Sequence, residues 1–142
     1  MPELIRSVVS RMRIFIKDRR RAPRLSVRLL FSVCRSPNGN GLSPRRVLKG
    51  HTRDISINGL ALNVPKIHLD GHHLAGEGNE LELRLDLPGG AVLMRVVPRR
   101  YERLDEPELG CSYLVGAQIV HIDEVDRERY LSFVAQGLEG KF

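Results

Sequence analysis

Leu81-Glu82-Leu83-Arg84-Leu85-Asp86-Leu87, followed by Pro88-Gly89-Gly90, decides the architecture of this chain. Four leucines alternate with three charged residues, a period of two that gives a strand one dry face and one wet face. Pro88-Gly89-Gly90 turns the chain, and Ala91 to Val97 returns as an antiparallel partner. A sheet of this kind must hide its leucine face, and no crossover helix is available to cover it.

The same pattern extends in both directions. Leu25, Val27, Leu29, Phe31 and Val33 share one face of a strand predicted over Leu25–Cys34. Ser36-Pro37-Asn38-Gly39-Asn40-Gly41 is loop chemistry. Residues 46–56 form a second strand, Asn58-Gly59 a tight turn or bulge, and Leu60 to Val64 a third strand. Residues 65–80, with Gly71, Gly76 and Gly78, are expected to be a long loop. The charged run Pro98 to Gly110 is expected to be a hairpin end, and Ser112 to Ile122 the last strand. A helix is predicted from Asp123 to about Gln136, capped by Asp123 and stopped by Gly137. About six strands joined without crossover helices make an antiparallel sheet, and closure into a small barrel hides its apolar face.

Ahead of the sheet, residues 3–17 read as an amphipathic helix. Leu4, Ile5, Val8, Val9, Met12, Ile14, Phe15 and Ile16 populate one broad side, with Arg6, Arg11, Arg13 and Lys17 elsewhere. The expectation is docking onto the body or onto a second copy of the protein; the alternative is contact with an anionic membrane surface. The expected organisation is an N-terminal basic helix (1–18), a β-barrel domain with its C-terminal helix (19–138) and a short tail (139–142).

The 142 residues suit one domain, and 42% hydrophobic content supports a real core. The net charge of +6 is local. Residues 1–24 hold eight basic residues against two acidic ones, leaving fifteen of each sign elsewhere. A diffuse basic face for duplex DNA is therefore poorly supported, and an aromatic content of 5% argues against a single-strand binder. Cys34 and Cys111 are far apart and suit a reducing cytoplasm. No signal peptide or spanning segment is expected. His68, His72 and His73 lack a completing ligand set for a metal. Cys111 has no evident base, and Asp105, Glu106 and Glu108 read as a solvated face, so an enzyme is not expected.

Asp18-Arg19-Arg20-Arg21-Ala22-Pro23-Arg24 carries the sharpest chemistry. Pro23 fixes its own φ and pushes Ala22 away from helix, so the arginines stand on extended or turning backbone. Their planar forks suit phosphate and the acceptor edge of guanine. Arg20 and Arg24 stand four apart. Thirty residues beyond Arg24 comes Asp54-Ile55-Ser56-Ile57-Asn58-Gly59. Asp54 is an acceptor pair able to take the N1–H and amine of a guanine. Ser56 is a small donor, and Gly59 permits positive φ or a close backbone approach.

R-x-x-x-R before the first strand and D-x-S-x-x-G thirty residues on, in a six-stranded sheet with a final helix, resemble a PilZ domain over roughly residues 19–138. Val115-Gly116-Ala117-Gln118-Ile119 is similar to that family's last strand, with Ile119 where an aromatic is usual. The resemblance implies a receptor for cyclic di-GMP. Arg20 and Arg24 would grip phosphate and the guanine Hoogsteen edge, with Arg19 influencing how many nucleotides bind. Asp54, Ser56 and Gly59 would line the opposite side. Ligand binding would order a mobile segment 17–24 and relay a signal to an unknown downstream protein. The rivals are a nucleotide-independent interaction module of the same fold and a membrane-surface adaptor working through residues 3–17.

Overall fold

A computed structural model describes residues 22–35, 47–69, 72–74, 79–106 and 110–140. The expected N-terminal helix, Arg19, Arg20 and the 36–41 loop lie outside the described residues. The strands are β1 (Leu25–Ser26), β2 (Leu30–Arg35), β3 (Leu48–Ile55), β4 (Gly59–Val64), β5 (His68–Leu69), β6 (His72–His73), β7 (Leu81–Leu87), β8 (Gly90–Glu106) and β9 (Gly110–Ile122). One helix, α1 (Glu124–Leu138), follows β9.

Six strands form a closed antiparallel barrel, as the alternation required. β2, β7, β8, β9 and β4 pair in that order, and β3 joins both β2 and β4. Leu81, Leu83, Leu85 and Leu87 all point inward and are buried, while Arg84 and Asp86 are exposed. Phe31, Val33, Ile55, Leu60, Leu62, Val92 and Val96 fill the same interior. Each such side chain taken fully out of water contributes roughly 1.5–3 kcal/mol. The helix lays Tyr130, Val134 and Ala135 against this core. Asp126 accepts from the Leu93 amide at 3.0 Å, and Arg129 donates to the Ala91 carbonyl at 3.0 Å, tying α1 to β8.

Four details differ from the sequence expectations. The strand predicted over Leu25–Cys34 breaks at residues 27–29, because a side chain substitutes for the ladder there. The Thr52 hydroxyl donates to the Val27 carbonyl at 2.6 Å and accepts from the Leu29 amide at 2.9 Å. The 65–80 stretch carries the short β5–β6 hairpin rather than loop alone. The charged 98–110 run is mostly strand, since β8 continues to Glu106 and stays paired with β9 as far as Gly110. Finally, α1 runs through Gly137. Gly140 takes the left-handed turn at φ 72°, and Asp123 lies at the helix start without a side-chain cap, its carboxylate 3.1 Å from His121 Nε2.

Candidate functional site

Two of the β-bulges in the barrel wall, one in β3 and one in β8, shape its outer surface near the motif residues. In β3, Leu48 and Thr52 face the core, so strict alternation would send Arg53 out and Asp54 in. The register shifts between Thr52 and Asp54, which pair with Leu62 and Ala61 on β4, leaving Arg53 as the extra residue. A bulge of this kind inverts the phase of everything after it. Asp54 therefore turns outward and Ile55 inward, where it is completely buried. In β8 the register shifts again between Pro98 and Arg100, which pair with Ala117 and Gly116, and Arg99 is the extra residue. Arg100 is thereby exposed instead of being driven into the core.

These two irregularities frame a cavity of about 440 Å³, whose lining includes Arg24, Arg53, Asp54, Arg100, Tyr101 and Glu102. Three guanidinium groups face two carboxylates, so the cavity carries one excess positive charge at neutral pH. Arg24 donates from Nη1 to Asp54 Oδ1 at 2.5 Å, across thirty residues of sequence. The Arg24 side chain is half exposed and the Asp54 side chain is 17% exposed. An ion pair in that setting is solvent-screened, so its partners can be exchanged at small cost. The floor is low where Gly116 lies under Arg100. A Cβ at Gly116 would stand 3.2 Å from Arg100 Cγ and 3.3 Å from its Nε.

The remaining motif residues have a different position. Ser56 is buried at 1% exposure, and its hydroxyl works within the turn. It donates to Asn58 Oδ1 at 2.8 Å and accepts from the Gly59 amide at 3.2 Å. The Ser56 amide donates to the Gly59 carbonyl at 2.8 Å, closing the turn between β3 and β4. Gly59 is needed for close approach: a Cβ there would come 2.7 Å from the Ala117 carbonyl oxygen on β9. Tyr130 of α1 donates its phenol to the Ser56 carbonyl at 2.6 Å, locking this turn to the helix. Burial holds the Tyr130 phenol far above its ordinary pKa, so it stays a neutral donor.

Of the residues singled out by sequence, the structure brings Arg24 and Asp54 together, sets Ser56 and Gly59 behind them in the supporting turn, and leaves Arg19 and Arg20 outside the described residues. The segment expected to be mobile, 17–24, lies outside the described residues as far as residue 21; at Arg24 the guanidinium is paired with Asp54. Arg53 and Arg100 escaped the sequence reading because strand periodicity says nothing about bulges. Pro98 inside a strand was the available signal, since proline in a ladder marks a bulge or an edge. Among the described residues, no group of three or more His, Cys, Asp or Glu side chains is placed to hold a metal. No helix among them is long and apolar enough to cross a membrane.

The barrel has solved counterparts. The Bacillus subtilis inhibitor of motility, MotI/DgrA, superposes with a TM-score of 0.60 at 19% identity, over 87% of this chain and 53% of its own. The PilZ domain of Escherichia coli YcgR with c-di-GMP gives 0.58 at 11% identity, over 88% and 100%. Borreliella burgdorferi PlzA in complex with c-di-GMP gives 0.59 at 11% identity, over 99% and 57%. The chain thus spans about half the length of MotI/DgrA and PlzA. At these identities the likeness concerns the fold alone. No curated protein matches the chain by sequence. The PilZ domain family model matches residues 18–136, from the arginine run to the last turns of α1, and the chain belongs to the PilZ domain family.

Proposed function

We propose that this protein is a cyclic di-GMP receptor, a cytoplasmic regulatory module without catalysis of its own. The observation that carries the reading is the Arg24–Asp54 pair in a cavity with excess positive charge. The ligand presents two phosphates, which suit guanidinium forks, and two guanines, whose N1–H and amine suit a carboxylate. Binding exchanges partners: phosphate or the guanine Hoogsteen edge takes Arg24, and Asp54 passes to a guanine. Arg53 and Arg100 supply further cations for the second phosphate. Arg20 closes from the N-terminal side, with Arg19 setting how many nucleotides are held. Ser56 and Gly59 act by holding Asp54 in place.

The N-terminal arginine segment orders on binding and passes the signal to a downstream protein through residues 1–18. The turn bearing Ser56 is bonded directly to α1 through Tyr130, which gives the site a second rigid connection.

Thermal melts with and without cyclic di-GMP test the proposal, with cyclic di-AMP as the control. A ligand at a hundred times its dissociation constant stabilises by about 2.7 kcal/mol, enough to raise Tm by roughly 5–10 °C. The guanine dinucleotide should produce this shift and the adenine one should not. No shift with cyclic di-GMP would refute the receptor reading.

A further inference from the structure

Tyr101 follows Arg100 on β8, lines the same cavity, and is 51% exposed. No other Phe or Tyr among the described residues is exposed to this degree. Its ring is braced from outside the barrel. The His73 ring lies 4.8 Å from it, centroid to centroid, tilted by 59°. His73 is in turn met edge-on by His68 at 5.2 Å, so the β5–β6 hairpin buttresses the tyrosine. That hairpin is itself pinned, because the Asn79 amide donates to the carbonyls of His73 and Leu74.

A flat ring, held in advance and set beside the cations of a polar cavity, serves a planar ligand. The geometry points to Tyr101 as the purine-stacking residue of this site. The inference rests on the cyclic dinucleotide reading and adds a separate contact to it. A braced ring loses little freedom when a base lies on it, so most of the stacking energy goes into affinity. Every base offers a π-face, so Tyr101 strengthens binding without choosing the base. That choice stays with the carboxylate of Asp54. The Arg99 bulge has a second consequence here: it brings Arg100 and Tyr101, neighbours in sequence, both onto the cavity.

The test is calorimetric titration of the full chain with cyclic di-GMP, using wild type, Tyr101→Phe, Tyr101→Leu and Arg24→Ala. Tyr101→Phe keeps the ring and should bind within about twofold of wild type. Tyr101→Leu keeps apolar bulk without a π-face and should bind on the order of tenfold more weakly. Tyr101→Leu binding as tightly as wild type, while Arg24→Ala fails to bind, overturns the stacking role and leaves the receptor reading standing. No binding by wild type overturns both. Tyrosine fluorescence gives an arm that does not depend on how well the leucine variant folds. Cyclic di-GMP should quench the wild-type signal and spare that of Tyr101→Phe; equal quenching in the two proteins would overturn the assignment.

Discussion

Replacing Tyr130 with phenylalanine removes one oxygen atom from the interior and should expose how the site turn is held. The phenol donates to the Ser56 carbonyl at 2.6 Å, and both groups are buried. Without it, a buried acceptor loses its partner, which costs about 1–3 kcal/mol. At roughly 3 °C per kcal/mol for a chain of this length, Tm should fall by roughly 3–10 °C. The pH dependence adds a signature that simple packing loss would lack. The folded-state pKa of Tyr130 lies far above its ordinary value of 10.0, because burial disfavours the phenolate. Above pH 10 the unfolded chain therefore gives up a proton that the folded chain keeps. Stability is full below pH 10 and falls as pH rises, by about 1.4 kcal/mol per unit from this group. Phenylalanine has no such proton, and the other tyrosines are common to both proteins. The wild-type advantage should thus hold from pH 6 to 9, shrink above pH 10, and vanish about one to two units later. Urea unfolding of both proteins across pH 6–11.5 measures this. A constant difference across that range, or none at pH 7, would refute the claim that a buried neutral phenol clamps the turn.

Further outcomes follow from neighbouring residues. Thr52→Val keeps the shape but strips the Val27 carbonyl and Leu29 amide of their side-chain partner, so denaturant melts should show a loss of about 2 kcal/mol or more. Gly59→Ala forces a methyl to 2.7 Å from the Ala117 carbonyl. It should cost about 1–3 kcal/mol by the same assay and weaken ligand binding by disturbing the β4–β9 seam. Arg24→Ala removes the half-exposed member of a screened ion pair and should leave Tm within about 2 °C of wild type while abolishing cyclic di-GMP binding. A large fall in Tm would instead mark Arg24 as structural.

The barrel was legible because its cause is periodic. Leu81 to Leu87 dictates a strand with one dry face, and that face has to be closed over. Asp54 and Arg24 were legible as chemistry, although alternation alone would have buried Asp54. What periodicity cannot encode is a local exception. Arg53 and Arg99 are each one extra residue in a ladder, and each reverses which neighbours face water. Thr52 interrupts a strand whose inward residues, Leu25 to Val33, keep a period of two, because the competing hydrogen bonds come from a side chain on another strand. The role of Tyr130 was hidden for the same reason, since its partner Ser56 lies 74 residues away.

The central claim is that cyclic di-GMP binds on the barrel wall between Arg24, Asp54 and Arg100. A ¹⁵N-resolved NMR titration of the full chain with cyclic di-GMP tests it most directly. Saturable shifts are expected at the amides of Arg24, Asp54, Arg100 and Gly116. Little change is expected at Leu93, seven residues before Arg100 on β8 and roughly 20 Å away by strand rise. Saturable shifts centred on Leu93 and the start of α1, or none at all, would contradict it.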